Sequence, residues 1–395
     1  MKQLNAIPYL ETVDESEDIE TSLVTYDHQR AYDGFNLWCP IGSNRVRLMD
    51  LQGKILHEWQ PDIPEFGNAS DLVLCENGDL LATTCLGELI CVDWNSKLKW
   101  KKHDFGYHHE IGIYDNGEIF ALGMNYRVIF MAGLPLPIRD DYIVTISRQG
   151  KTIDAISLID ILHEDISINT LFNTYWDILK IENLLKIARY HIIKARGKLV
   201  ENRVNPAKRI FDNLHANTIT LMNRDVVGLC SKGDMLMCLR NWDMICIFEP
   251  VEKQFIWQWN AGNKSRPHFP ILLENNNILL FDNGPARNHS KIVEMNPFEK
   301  KIVWEYIADP PESFHSQVRG CSQKLPNGNI LITESDKGRV FEITADGEIV
   351  WDFYNLEESS KKKNKGRAAI YRMLRITEPD KYPCLEKLKQ DQVNK

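Results

Sequence analysis

The sequence predicts an all-β fold: a six-bladed β-propeller with a helical insertion between blades three and four and a short helical C-terminal tail. Three observations predict it. A polar turn followed by an alternating apolar strand, often closed by tryptophan, recurs six times, as DLQGKILHEW (50–59), DWNSKLKW (93–100), SRQGKTIDAI (147–156), EPVEKQFIWQW (249–259), NPFEKKIVWEY (296–306) and TADGEIVWDF (344–353). Between the copies lies a hairpin unit with an Asn-Gly-type turn: ENGDLLAT from 76, DNGEIFAL from 115, SKGDMLMC from 231, ENNNILLF from 274 and PNGNILIT from 326. Such turns between apolar strands are the strongest short-range hairpin signal, because these residues tolerate positive φ. One stretch, 157–208, abandons the rhythm for apolar residues spaced by three and four, the helical period. Several strand signals per period of about 40 residues mean a propeller, each period supplying one four-stranded blade.

The elements follow in order. Residues 1–33 form an acidic N-terminal segment ahead of the repeats. The stretch GFNLWCPIGSNRVRLMDLQGKILHEW (34–59) carries only the outer units of a blade. Its remaining strand has to come from elsewhere in the chain, which closes the ring and removes an exposed edge. Two complete blades follow, then the insertion, a candidate lid or homodimer contact because loops at one end of a propeller shape access to the channel. Three more blades bring the propeller to residue 360. The tail, 361–395, opens on Lys361, Lys362, Lys363 and Lys365, a solvated loop by composition, and reads as helical around AAIYRMLRI, packing across one face.

Composition narrows the class. Hydrophobic residues at 43% and charged residues at 26% suit a globular protein with a large core. With 47 Lys+Arg against 55 Asp+Glu the net charge is -8, and the basic residues are scattered outside the one run, which argues against a nucleic-acid partner. The nine cysteines form neither a CxxC pair nor zinc-ribbon spacing, as expected of free thiols in a reducing compartment. The acidic N-terminus lacks the features of a secretory signal, and no apolar run reaches membrane-spanning length. The expectation is a cytoplasmic protein without a membrane span.

Aligning the blades on the turn residue places Ser70, His109, His268 and Gly320 in one column, eight residues before Gly78, Gly117, Asn276 and Gly328. The fourth blade has a longer turn, but its first strand opens with His215. First strands line the channel, so three imidazoles are expected to converge at one end of it. A lone histidine in a strand is more often structural; three in register weigh the other way. His108, Asn217, Arg240 in the strand MLMCLRNW, and Arg287 in the loop FDNGPARNHS add polar groups around them. Arginine in a buried channel is costly unless it meets an anion, which points to a sulfate, phosphate or carboxylate ligand.

The strings PHFPILLENNNILLFDNGPARNHS and RGCSQKLPNGNILITESDKGRVFEITADGEIVWDF, together with the HHE and HAN openings, resemble the arylsulfate sulfotransferase family. The resemblance runs from about Gly34 to Trp351 outside the insertion. It implies a sulfotransferase that needs no nucleotide sulfonate carrier, no other cofactor and no metal, and that moves the sulfuryl group from an aryl sulfate donor to a phenolic acceptor through a sulfated histidine. By position that histidine is similar to His268. His215 and Asn217 resemble the family's sulfate-holding histidine and asparagine, Arg240 its sulfate-binding arginine, and His109 or His108 its remaining histidine. The chain differs from the family at Pro267, where glutamine is usual.

The residue types suit that chemistry. A neutral imidazole can attack sulfur in line with the leaving phenolate, splitting one difficult transfer into two easier ones. Arg240 and Asn217 would hold the equatorial oxygens, and a second histidine would manage the phenol's proton. Two other classes remain open on the residues alone. Three histidines could ligate a metal for oxygenase or hydrolase chemistry, although an adjacent arginine would repel the cation. Alternatively, the propeller binds a protein partner and catalyses nothing.

Overall fold

Hydrogen bonding sorts the strands into six antiparallel sheets whose first strands contact one another around a central axis. This computed structural model describes residues 21–63, 69–84, 86–131, 134–162, 212, 214–262, 264–358, 367–386 and 388. Blade two comprises Ala69–Leu74, Leu80–Thr84, Leu89–Val92 and Leu98–Lys102, running outward in chain order. Blade three comprises Ile111–Ile113, Ile119–Met131, Leu134–Ile146 and Thr152–Ser157, and blade four Ala216–Leu221, Met235–Leu239, Met244–Glu249 and Gln254–Asn260. Blade five is His268–Leu272, Ile278–Asp282, Lys291–Asn296 and Lys301–Tyr306, and blade six begins Cys321–Lys324, Ile330–Glu334, Arg339–Ile343 and Ile349–Tyr354.

The periodicities of these strands follow their place in the blade. Met235–Leu239, second in its sheet and covered on both faces, is buried at every position. Gln254–Asn260, at the rim, alternates between exposed and half-buried, as a strand covered on one face must. The apolar cores lie between blades: Leu81 and Leu89 pack with Ile119 and Val144, Leu236 and Ile247 with Leu280 and Val293, Leu279 and Phe281 with Ile332 and Phe341. Each such side chain contributes about 1.5–3 kcal/mol on burial, so neighbouring blades stabilise one another.

The ring closes from both chain ends, and here two expectations are corrected. AAIYRMLRI is not helical. Ile370–Ile376 is the innermost strand of blade one, pairing with Phe35–Pro40 ahead of Val46–Met49 and Ile55–Trp59. This is the strand that 34–59 lacked. Its alanine, leucine, methionine and arginine favour helix intrinsically, but an open edge beside Phe35–Pro40 outweighs a few tenths of a kcal/mol of propensity. Arg375 locks it in place: fully buried, it donates to Asn36 Oδ1 at 2.9 Å, pairs with Glu342 and lies 4.9 Å from the Trp351 ring centre. At the other end Leu23–Tyr26 pairs with Ile349–Tyr354 as a fifth strand of blade six, so neither propeller boundary falls where the repeats placed it.

The insertion's described part is a helix, Leu158–Leu162, whose Leu158, Ile159 and Leu162 are buried. The remainder, 163–208, lies outside the described residues, as does the lysine run at 361–365. Ahead of it the strands are longer than the repeat predicts: Ile119–Met131 and Leu134–Ile146 pair over thirteen residues each, a hairpin running past the ends of its own blade. Ion pairs from Arg127 to Asp140 (2.8 Å) and Asp160 (2.5 Å) hold the helix against it.

Candidate active site

First strands enter the channel through irregular backbone. Those of blades two, four and five each carry one extra residue near their start, between Ala69 and Asp71, Ala216 and Thr218, and His268 and Ile271. Such bulges re-aim side chains. His109, His215 and Phe269 adopt left-handed φ of 54°, 50° and 48°, a conformation that costs a residue with a side chain on the order of 1–2 kcal/mol. The backbone is held there from the neighbouring blade: Thr83 Oγ1 donates to His109 O (2.8 Å), Asp141 Oδ2 accepts from Ala216 N (2.8 Å) and Thr218 Oγ1 from Phe269 N (2.9 Å).

Four histidines meet at this mouth. His109 is central, its ring 5.1 Å from that of His108, 5.3 Å from His215 and 6.4 Å from His268. His109 faces the other two channel histidines. His108 turns aside, with Nε2 3.4 Å from Asp141 Oδ1 and 3.2 Å from Arg139 Nη2. Burial lowers the basicity of all four. For His268 the fall reaches about 3, from burial first and the Arg240 guanidinium second, so this imidazole is neutral throughout the physiological range.

The protons of His268 can be assigned from its neighbours. Asn283 Nδ2 donates to the carbonyls of Ser316 (2.7 Å) and Arg319 (2.6 Å). Its Oδ1 therefore faces the histidine and can only accept, 2.6 Å from His268 Nδ1, which also lies 3.1 Å from Arg266 O. Two acceptors require the proton to sit on Nδ1. Nε2 then carries a bare lone pair; it is buried and has no hydrogen-bond partner among the described residues.

The other expected residues are placed as follows. Arg240 begins a short 3-10 turn, Arg240–Trp242, just beyond its strand rather than within it, and its charge lowers the basicity of both His268 and His215. Asn217 is fully buried and donates to Pro267 O at 2.9 Å, bracing the chain immediately before His268. Arg287, in the loop between the second and third strands of blade five, pairs with Asp282 Oδ1 at 2.9 Å and lies close to His315. Burial pushes the Cys321 thiol up to about 11, so it stays protonated at neutral pH, as a packing cysteine does.

Several participants escaped the sequence reading. Tyr371 Oη, on the ring-closing strand, hydrogen-bonds His109 Nδ1. One level further in, Arg372 pairs with Asp71 (3.1 Å) and Glu110 (3.5 Å) and covers the Phe269 ring at 4.8 Å. Asp71 and Glu110 each accept from the next blade, from Ile111 N (3.1 Å) and Ile219 N (2.7 Å). Arg139, from the long hairpin, pairs with Asp141 (2.9 Å) and Asp212 (2.7 Å), and Asp212 holds His215 Nδ1 at 2.5 Å. The usable signals were faint: an acid follows Ser70 and His109 in the aligned column, and Asn283 belongs to the DNG triplet. Among the described residues no group of three or more His, Cys, Asp or Glu is arranged to hold a metal ion, and no helix is long and apolar enough to cross a membrane.

Comparisons with known proteins follow the same lines. The family described as arylsulfotransferase (ASST) matches residues 70–356. No curated protein sequence matches the chain. Among solved structures, a protein of unknown function from Bacteroides caccae is similar at 13% identity and a TM-score of 0.51, covering 86% of this chain and 98% of its own. A streptogramin B lyase is similar at 13% identity and a TM-score of 0.47, covering 89% of each chain. The Dos1 propeller is similar at 10% identity and a TM-score of 0.42, covering 87% of this chain and 78% of its own. At these identities the likeness concerns the fold alone.

Proposed function

The chain belongs to the arylsulfotransferase (ASST) family, and from that premise we propose that it is a transferase moving a sulfuryl group from an aryl sulfate to a phenol in two steps through sulfated His268. The observation that carries this reading is the buried lone pair on His268 Nε2, fixed by an amide that can only accept at Nδ1. A nucleophile must be unprotonated and its lone pair unengaged, and among the described residues this nitrogen is both.

The surroundings suit the rest of the reaction. As Nε2 attacks sulfur and the phenolate departs, charge builds on the equatorial sulfuryl oxygens. Arg240, the second N–H of Asn217 and the channel histidines supply donors for them. Asn283 keeps its hydrogen bond to Nδ1–H throughout, so the sulfated ring stays oriented for the acceptor. No nucleotide carrier, metal or other cofactor enters this scheme. We place the reaction in the cytoplasm, in keeping with the free thiols of all eight described cysteines. A cation at the mouth, by contrast, would face Arg240 and Arg139 directly.

The test is turnover of 4-nitrophenyl sulfate with and without a phenol. Wild type is expected to release nitrophenolate in an acceptor-dependent way, and single turnover without acceptor should leave a sulfuryl adduct on the His268 peptide. His268→Ala should lower kcat by roughly 10³-fold or more. A wild-type protein that is folded yet releases nothing with any acceptor leaves the binding-propeller reading in its place.

A further inference from the structure

His268 and His215 differ in what holds Nδ1. The partner of His268 is a neutral amide; that of His215 is the carboxylate of Asp212, 2.5 Å away. Arg139 Nη1 lies 2.7 Å from the same carboxylate oxygen, and Asp212 is buried. Arg139 and His215 together hold its carboxyl well below the usual carboxylate range against the upward pull of burial. An ionised carboxylate only accepts, so His215 must donate from Nδ1 and present Nε2 to the channel. There it meets His109 Nε2 at 3.3 Å. His109 is kept neutral, by burial first and neighbouring histidines next, so it donates from Nε2 and accepts at Nδ1 from the Tyr371 hydroxyl. One direction of donation runs through all four residues: Tyr371 to His109 to His215 to Asp212.

Resting on the sulfuryl-transfer reading, we propose that His215 is the general acid and base of the reaction, with Asp212 as the residue that positions it and stabilises its protonated form. Two imidazoles with unlike partners take unlike roles: an uncharged amide gives the imidazolium too little support to offset burial and Arg240 and so leaves a nucleophile, whereas a carboxylate stabilises the imidazolium and makes a proton carrier. In the first half-reaction His268 Nε2 forms the N–S bond as the S–O bond to the aryl group breaks. The departing oxygen takes the Nε2 proton of the His215 imidazolium, which becomes neutral. In the second, the acceptor phenol gives its proton to His215 Nε2 as its oxygen bonds to sulfur and the N–S bond breaks. His215 regains its charge and His268 its lone pair, so one proton leaves with the first phenol and one arrives with the second. No oxidant, reductant or metal is needed. The negative charge of an aryl sulfate favours the imidazolium when the donor binds, offsetting the cost of burial.

Asp212→Asn keeps the shape and removes the charge. With phenyl sulfate, whose leaving group needs a proton, kcat/KM for the donor, which reports the first half-reaction alone, is expected to fall on the order of 10²–10⁴-fold; with 4-nitrophenyl sulfate, whose anion leaves unaided, the loss in kcat/KM should stay below about 10-fold. Equal losses on both donors would overturn the assignment while leaving sulfuryl transfer intact. The couple also has a readout independent of turnover. In ¹⁵N-histidine-labelled protein, His215 should carry its proton on Nδ1 in wild type and change in Asp212→Asn, with circular dichroism confirming the fold. A wild-type His215 protonated on Nε2 alone overturns the proposal even if no donor is turned over.

Discussion

Left-handed backbone occurs at both ends of the first strands, and the two ends treat it differently. At the hairpin turns it falls on Gly78, Gly117 and Gly328 (φ 85°, 80° and 89°) or on Asn276 (66°), residues that adopt it cheaply. At the channel mouth it falls on His109, His215 and Phe269 (54°, 50° and 48°). Turn asparagines bond locally and in solvent, as Asn275 Oδ1 does in accepting from Asn277 N at 3.0 Å; mouth residues bond across blades in a buried setting. Strain in this protein is concentrated where the polar residues converge, and hydrogen bonds from neighbouring blades sustain it.

The largest test of that contrast removes one amide from each end. Asn283→Leu takes the buried amide from two carbonyls and from His268 Nδ1, which keeps only Arg266 O, with an expected loss on the order of 3 kcal/mol in urea unfolding. Activity should fall beyond what the lost stability explains, because Arg266 O alone, 3.1 Å away, is left to hold the Nδ1–H tautomer. Asn275→Ala, at a solvent-exposed turn, should cost a few tenths of a kcal/mol. Similar costs at the two ends would remove the distinction.

The pH dependence of stability sharpens it next. His268 falls to about 3 in the folded protein, first through burial, against about 6.5 when unfolded. Below 6.5 the unfolded chain binds the proton and the folded chain does not, so stability is full above that pH and declines as pH drops toward 3. The limiting slope is about 1.4 kcal/mol per pH unit for this residue. Glu110 has the opposite sign. Burial pushes its carboxyl up to about 8, so its contribution is complete below its unfolded value and is lost as pH rises through 8. The two slopes oppose one another between about pH 4.5 and 6.5, so urea midpoints should stay nearly level there and fall between pH 6.5 and about 8; Glu110→Gln should uncover a rising acid limb, and His268→Asn should let the fall begin near pH 4.5. A flat acid limb in Glu110→Gln would mean that the mouth is wet and the histidines titrate freely.

What the sequence disclosed divides along the same line. Turns and rim strands were legible because glycine position and period-two alternation are local properties: ENGDLLAT and PNGNILIT each declare a hairpin by themselves. The histidine column was legible because it inherits that register. The closing strand was not, since IYRMLRI is made of helix formers and becomes a strand only through Phe35–Pro40 at the other end of the chain. Tyr371 was lost with it. Arg139 and Asp212 lie outside the column, one on a hairpin that overruns its blade and one beside the insertion, and only their meeting at His215 gives them a role.

The smallest effect bears most directly on the comparison. Gly328 has no atom near the place a Cβ would occupy, so Gly328→Ala changes only backbone preference and should destabilise by about 1 kcal/mol. At His109 the order should invert. His109→Ala and His109→Gly delete the same ring and the same hydrogen bonds, but alanine keeps the left-handed penalty and glycine does not. The glycine variant should therefore be the more stable of the two by about 1 kcal/mol, less the entropy that glycine adds to the unfolded chain. Measured in one urea series, that difference isolates the strain from every side-chain contact. Were alanine as stable as glycine at 109, the mouth would hold no stored strain, and its irregular backbone would be shape alone.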